Sequence, residues 1–295
     1  MPYYIKLDNN VTMESNYKNP PISYMNKLSV RRAKTGEYGP VNLYKIISPD
    51  ERYEIKYNFD KEKIVVNSTT DRMKSRKLQN KIPVSHCKPL VLKKYKWYNP
   101  GEISKKLKYK FTDGSSSDDA NVFGDSGFLM IHRKHDVNIP FLNLLDCEKE
   151  MYERFGIRIY NEEETLPKLK GKKDIYVVSY RINENFASEY VHSSKGPGIF
   201  LEYHDFPHYF TPVSQDFRGP VVVGKFNKRK ELELVGLNLP IGKTVYFPPN
   251  LIHNDWYVVG KVATTVSVDE SNTVFVRGFN AKKIAMHFKY KPITT

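Results

Sequence analysis

Residues 240 to 255 read Pro240-Ile-Gly242-Lys-Thr-Val-Tyr-Phe-Pro248-Pro-Asn-Leu-Ile-His253-Asn254-Asp255. Pro and Gly open a turn, and Lys243 to Phe247 runs on as a strand of β-branched and aromatic residues. Pro248-Pro249-Asn250 stops that strand, so His253 follows at a place set by the turn. Upstream stands Glu202-Tyr-His204-Asp-Phe-Pro-His208. Glu202 and His204 lie at i and i+2, a spacing that a strand turns to one face. Glu202, His204, His208 and His253 together offer one carboxylate and three imidazoles, donor types that suit a divalent iron, manganese or zinc ion. Four such groups meeting in an apolar interior are costly unless a cation satisfies them.

Short apolar runs between turns surround these stretches. From residue 174 onward the candidates are 175–182, 198–203, 221–226, 231–237, 244–247, 256–259, 262–268, 273–277 and 284–290. Strands at spacings near ten residues predict an antiparallel jelly-roll barrel or sandwich. Before it, Leu144, Leu145, Met151, Tyr152 and Phe155 recur at helical spacing with Gly156 beyond, predicting one helix over 140–155. The Gly-, Ser- and Asp-rich residues 112–127 have loop chemistry. We expect a basic β-rich region over 1–120, a linker and helix over 121–173, and the barrel over 174–295. Strand-like runs in the first region are 3–7, 41–47, 53–59, 63–67 and 89–92.

The turn, strand, Pro and His order of 240–255 resembles the second motif of the cupin superfamily. Asn250 stands where that family often has Gly, and Ile252 where it often has Pro. The first cupin motif is matched with exchanges. Gly196 is followed by five residues and then Glu202-x-His204, so Glu202 takes the place of the first His, His204 matches the second, and His208 takes the place of the Glu. Gln215 stands where a later Gly is expected. The resemblance covers about residues 174–290. It implies a metal-dependent enzyme of the dioxygenase or sugar isomerase/epimerase class, with iron or manganese favoured and zinc as the alternative. His192 and Tyr246 are further candidates for acid–base roles, and Asp205 and Asp255 for orienting the histidines.

Composition leaves two other readings open. Between Asp71 and Lys110 thirteen Lys or Arg face only Asp71 and Glu102, a local charge of +11 within a total of +14. Tyr95, Trp97, Tyr98 and Tyr109 interleave with these cations, a pattern that suits nucleic acid or another phosphate surface, or steers an anionic small substrate. A jelly-roll structural or assembly protein, for example a viral one, is the third reading. Two cysteines, Cys87 and Cys147, are too few for a disulfide framework or a thiolate metal site. No secretory leader and no membrane-length apolar run are visible, so a cytoplasmic, reducing location is expected. His86 and Ser126 mimic protease boxes, but only forty residues separate them, far fewer than two protease barrels need.

Overall fold

The computed structural model describes residues 42–47, 53–58, 63–68, 89–93, 95–98, 126–131, 137–147, 149–161, 175–182, 184, 187–188, 199–255, 257–267, 271–278 and 288–292. The expected strand at 3–7, His192 and most of the basic segment 71–110 lie outside these residues.

The chain is mainly β, and its strands form two large open sheets. In the first, the order is β1 (Asn42–Ile47), β9 (Ile175–Ile182), β16 (Gly260–Ser267), β11 (His208–Pro212), β14 (Thr244–Phe247) and β8 (Arg158–Tyr160), every pair antiparallel. In the second, the order is β18 (Phe288–Pro292), β7 (Val137–Asn143), β13 (Leu232–Asn238), β12 (Pro220–Phe226), β15 (Ile252–Asn254), β10 (Phe200–His204), β17 (Ser271–Gly278), β6 (Ser126–Ile131) and β5 (Tyr95–Tyr98). Here β4 (Leu90–Leu92) also pairs with β13, while β18–β7, β7–β13 and β17–β6 are parallel. A hairpin of β2 (Tyr53–Asn58) and β3 (Lys63–Ser68) stands as a separate two-stranded sheet. Strands β1, β4 and β5, all from before residue 120, hydrogen-bond to strands from beyond it.

Two expectations need correction. Among the described residues no closed barrel forms, because each large sheet keeps two free ends, β1 and β8 in one and β18 and β5 in the other. The expected helix over 140–155 is a strand, β7, up to Asn143, and among its described residues only α1 (Lys149–Glu153) is helical. Val137 and Ile139 are buried while Asn138 between them is exposed, a period of two that the flanking Leu144 and Leu145 hid from a helical count. Pairing with β13 on one side and β18 on the other gives this segment more backbone partners than a marginal helix containing Pro140.

The core lies between the inner faces. Phe210, Val245 and Phe247 of the first sheet and Val221, Val223, Val235 and Leu237 of the second are all under 4 % exposed. Strands β12 and β13 are buried on both faces, which is why they read as continuous apolar runs and not as alternating ones. The turn before β14 uses Gly242 at φ 84°, and the turn before β15 uses Asn250 at φ 62°. Asn tolerates that left-handed backbone better than most side chains do, and so fills the place expected to need a Gly-like residue.

Strand β6 was hidden in the sequence by the Gly and Ser around it, yet Leu129 within it is fully buried. Leu129→Ala is expected to lower stability by about 2–5 kcal/mol. Leu145→Ala, at a position 40 % exposed, should stay within about 0.5 kcal/mol of wild type. Urea unfolding midpoints compare the two; equal midpoints would remove β6 from the core.

Candidate metal centre

Register brings the motif residues together. Glu202 on β10 lies directly across from His253 on β15, so both side chains share the inner face, and His204 joins them two residues on. His208 comes from the opposing sheet, where its cross-strand partner is Phe247. One ring nitrogen from each of His204, His208 and His253 lies within 4.8 Å of the others, and all three residues are buried. Ring centroids are 4.3 Å apart for His204–His208 and 5.0 Å for both other pairs, each edge to face. Phe206 stacks on His204 at 3.6 Å, and Phe210 and Phe247 close the apolar side at 6.4 and 6.2 Å from His253.

Every Nδ1 has a backbone carbonyl as its partner. His204 donates to the Phe206 carbonyl at 2.7 Å, His253 to Leu251 at 2.8 Å, and His208 to Thr265. A carbonyl only accepts, so the proton of each neutral ring sits on Nδ1 and the lone pair is left on Nε2. The Nε2 atoms of His204 and His253 are buried without a hydrogen-bond partner. His204 and His208, held neutral, turn Nε2 lone pairs inward, and His253 joins them with the Glu202 carboxylate beside its Nε2. Three imidazoles and a carboxylate so gathered fit a divalent cation, which would take the place of a proton on His253. The carbonyls supply the outer hydrogen bonds that metal-binding histidines usually have.

Local structure holds this arrangement. The Asn250 backbone N–H donates to the His204 carbonyl at 2.7 Å, tying the turn before β15 to the end of β10. Thr265 Oγ1 accepts from the Tyr209 N–H at 2.9 Å and donates to the Pro207 carbonyl at 3.2 Å, clamping the chain on either side of His208.

Glu202 sits at the solvent margin of the three rings, beside His253. Its Oε1 is 3.1 Å from Nε2 of His253, an ion pair when that ring is protonated, and its side chain is 29 % exposed. Burial, reinforced by the neighbouring rings, drives His204 well below the usual imidazole range and His208 down to about 3. Burial also pushes His253 down, but the Glu202 carboxylate outweighs it and leaves that ring above its ordinary value.

The remaining candidates are placed elsewhere. Tyr246 pairs with Tyr209 on the face of the first sheet opposite His208, where burial raises its phenol. Asp205 is exposed, Asp255 is half-buried beside His253, and His192 is outside the described residues. Of the strand expected at 256–259, the described residues show a turn, the Val258 N–H donating to the Asp255 carbonyl, and an isolated bridge from Val259 to Arg218; residue 256 lies outside the described residues. The carbonyls of Phe206, Leu251 and Thr265 carried no signal in the sequence, because any residue has one.

No protein-family model, curated protein or solved structure matches this chain. No helix among the described residues is long and apolar enough to cross a membrane.

Between pH 6.5 and about 3 the unfolded chain binds a proton at His208 that the folded chain does not. That contribution to stability is present above pH 6.5 and is lost as pH falls toward 3; His204 acts in the same direction. His253 opposes them, contributing below its unfolded value and losing the contribution as pH rises through its higher folded one. With chelator present, acid should therefore destabilise wild type more than His208→Leu between about pH 7 and 4.5. Identical acid slopes in urea unfolding would show that His208 is not held neutral.

Proposed function

We propose that this protein is a metal-dependent enzyme of the cupin type, in which His204, His208 and His253 hold one divalent ion. The observation that carries the reading is the set of three buried imidazoles whose Nδ1 protons are all committed to carbonyls. Strand order supports the fold half of the proposal. The order β9–β16–β11–β14 opposite β10–β15–β12–β13 is that of an eight-stranded jelly roll built from two Greek keys. On this reading the remaining strands extend the two sheets at their edges.

Three protein ligands leave coordination positions open, which favours a working iron or manganese ion over a closed structural zinc site. A bound ion supplies Lewis acidity or a platform for O₂, the chemistries of dioxygenases and of sugar isomerases and epimerases. Glu202 is the member of the four that reaches solvent, so substrate would approach past it. Its carboxylate sits where it can close the site as a fourth ligand or take a proton from a bound molecule. Phe206, Phe210 and Phe247 exclude water from the opposite side. An anionic small molecule fits the strongly positive chain.

Elemental analysis after purification without chelator or affinity metal tests this. Wild type should carry about one equivalent of iron, manganese or zinc, and His204→Ala and His253→Ala should lose it while remaining folded. Glu202→Gln should keep most of it, because three histidines still converge. Absence of metal and of uptake in wild type, or unchanged content in the histidine variants, would sink the proposal.

A further inference from the structure

On the face of β10 and β15 opposite the imidazoles lies a cleft of about 590 Å³. Tyr203 and Ile252, the residues that alternate with the inner histidines, form its floor, and Tyr95 and Phe226 form an aromatic wall, their rings 5.9 Å apart and tilted by 33°. Phe226 is 43 % exposed, the largest exposure of any large hydrophobic residue among those described. Lys230, exposed, also lines the cleft, and so does Lys225, whose ammonium donates to the Arg154 carbonyl.

The rim is more basic still. Lys228, Arg229 and Lys230 are consecutive and exposed at the tip of the β12–β13 hairpin. The Asn227 side chain fixes that tip, its Oδ1 accepting from the N–H groups of Arg229 at 2.9 Å and Glu231 at 3.0 Å. Lys93, also exposed, follows β4, whose Leu92 pairs with Leu232 just beyond the hairpin, and the Tyr95 phenol donates to the Lys230 carbonyl. Two carboxylates are near. Glu231 is bonded by the Asn227 amide at 3.0 Å, and Glu233 is buried against Arg154 at 2.5 Å. The described part of the +11 segment, 89–93 and 95–98, thus joins a fixed cationic hairpin around an apolar, ring-sized recess.

We propose that this cleft binds single-stranded nucleic acid, one base lying against Phe226 and Tyr95 and the flanking phosphates meeting Lys228, Arg229 and Lys230 at the hairpin tip. The cleft has the volume of a small-ligand site, and aromatic faces hold bases without regard to sequence. Cations continue past the recess to Lys93 and Lys228, more than one phosphate needs, which favours a strand over a free nucleotide. A paired base has its faces covered, which favours single strands over duplex. Nothing in this depends on a metal.

Fluorescence anisotropy with a short labelled pyrimidine oligonucleotide, at several salt concentrations, is the test. Wild type should bind with an affinity that falls steeply with salt. Phe226→Ala, a change at an exposed position, should weaken binding about ten-fold with little change in salt slope. Replacing Lys228, Arg229 and Lys230 together by Gln should lower the slope by about 2. His208→Leu, altered only on the opposite face, should bind as wild type does. The proposal is overturned by absent binding, by equal affinity for the matching duplex or the free mononucleotide, or by a Phe226→Ala variant that binds unchanged. Loss of binding in folded His208→Leu would overturn it too, because the strand would then belong to the imidazole site.

Discussion

Three imidazoles buried against one another must each commit a proton somewhere, and in this protein all three commit it outward, to the backbone. The Phe206, Leu251 and Thr265 carbonyls take the Nδ1 protons, so the Nε2 atoms face inward, as bare acceptors on His204 and His208 and beside the Glu202 carboxylate on His253. An isolated buried acceptor costs roughly 1–3 kcal/mol. Several such acceptors at one point add mutual repulsion, so the centre is a local weakness in an otherwise apolar interior. Removing the rings is the cheap way to relieve it, and a cation is the chemical one.

The surrounding structure answers to that constraint. Two of the carbonyls lie two residues from their own ring, at Phe206 and Leu251, so the short segments beside His204 and His253 orient them without help from distant chain. His208 instead depends on β16, and Thr265 holds it through its carbonyl and its hydroxyl at once. The centre therefore requires the two sheets to face each other in one register. A slip of one residue in β11 would turn Tyr209 inward and His208 out. Fully buried Phe247 and Val223, the cross-strand partners of His208 and His253, resist that slip through their packing.

What could be read from the sequence follows the same division between local and distant causes. The turn at Gly242, strand β14, the left-handed backbone at Asn250 and the place of His253 were legible because Pro, Gly and Asn act on their own neighbours. Strands 175–182 and 244–247 were legible to the residue through β-branched runs. Strand β11 was not, since His208 to Pro212 mixes residue types and is buried throughout, leaving no alternation to read. Strand β7 was misread because the spacing of Leu144, Leu145 and Met151 is helical by coincidence, while its parallel partners lie about a hundred residues or more away. Glu202 was grouped with the histidines on spacing alone. Spacing fixes which face it occupies but not how far its carboxylate reaches, and the structure leaves it at the solvent margin beside His253.

Alternation in β10 and β15 puts two kinds of chemistry back to back. Glu202, His204 and His253 point inward, and Tyr203 and Ile252 between them line the outer cleft. The bond from the Asn250 N–H to the His204 carbonyl belongs to both sides, because it fixes the end of β10 that carries His204 and the turn whose Asn250 lines the cleft. A strand has no slack at this scale. One short backbone bond therefore helps to set the geometry of both faces.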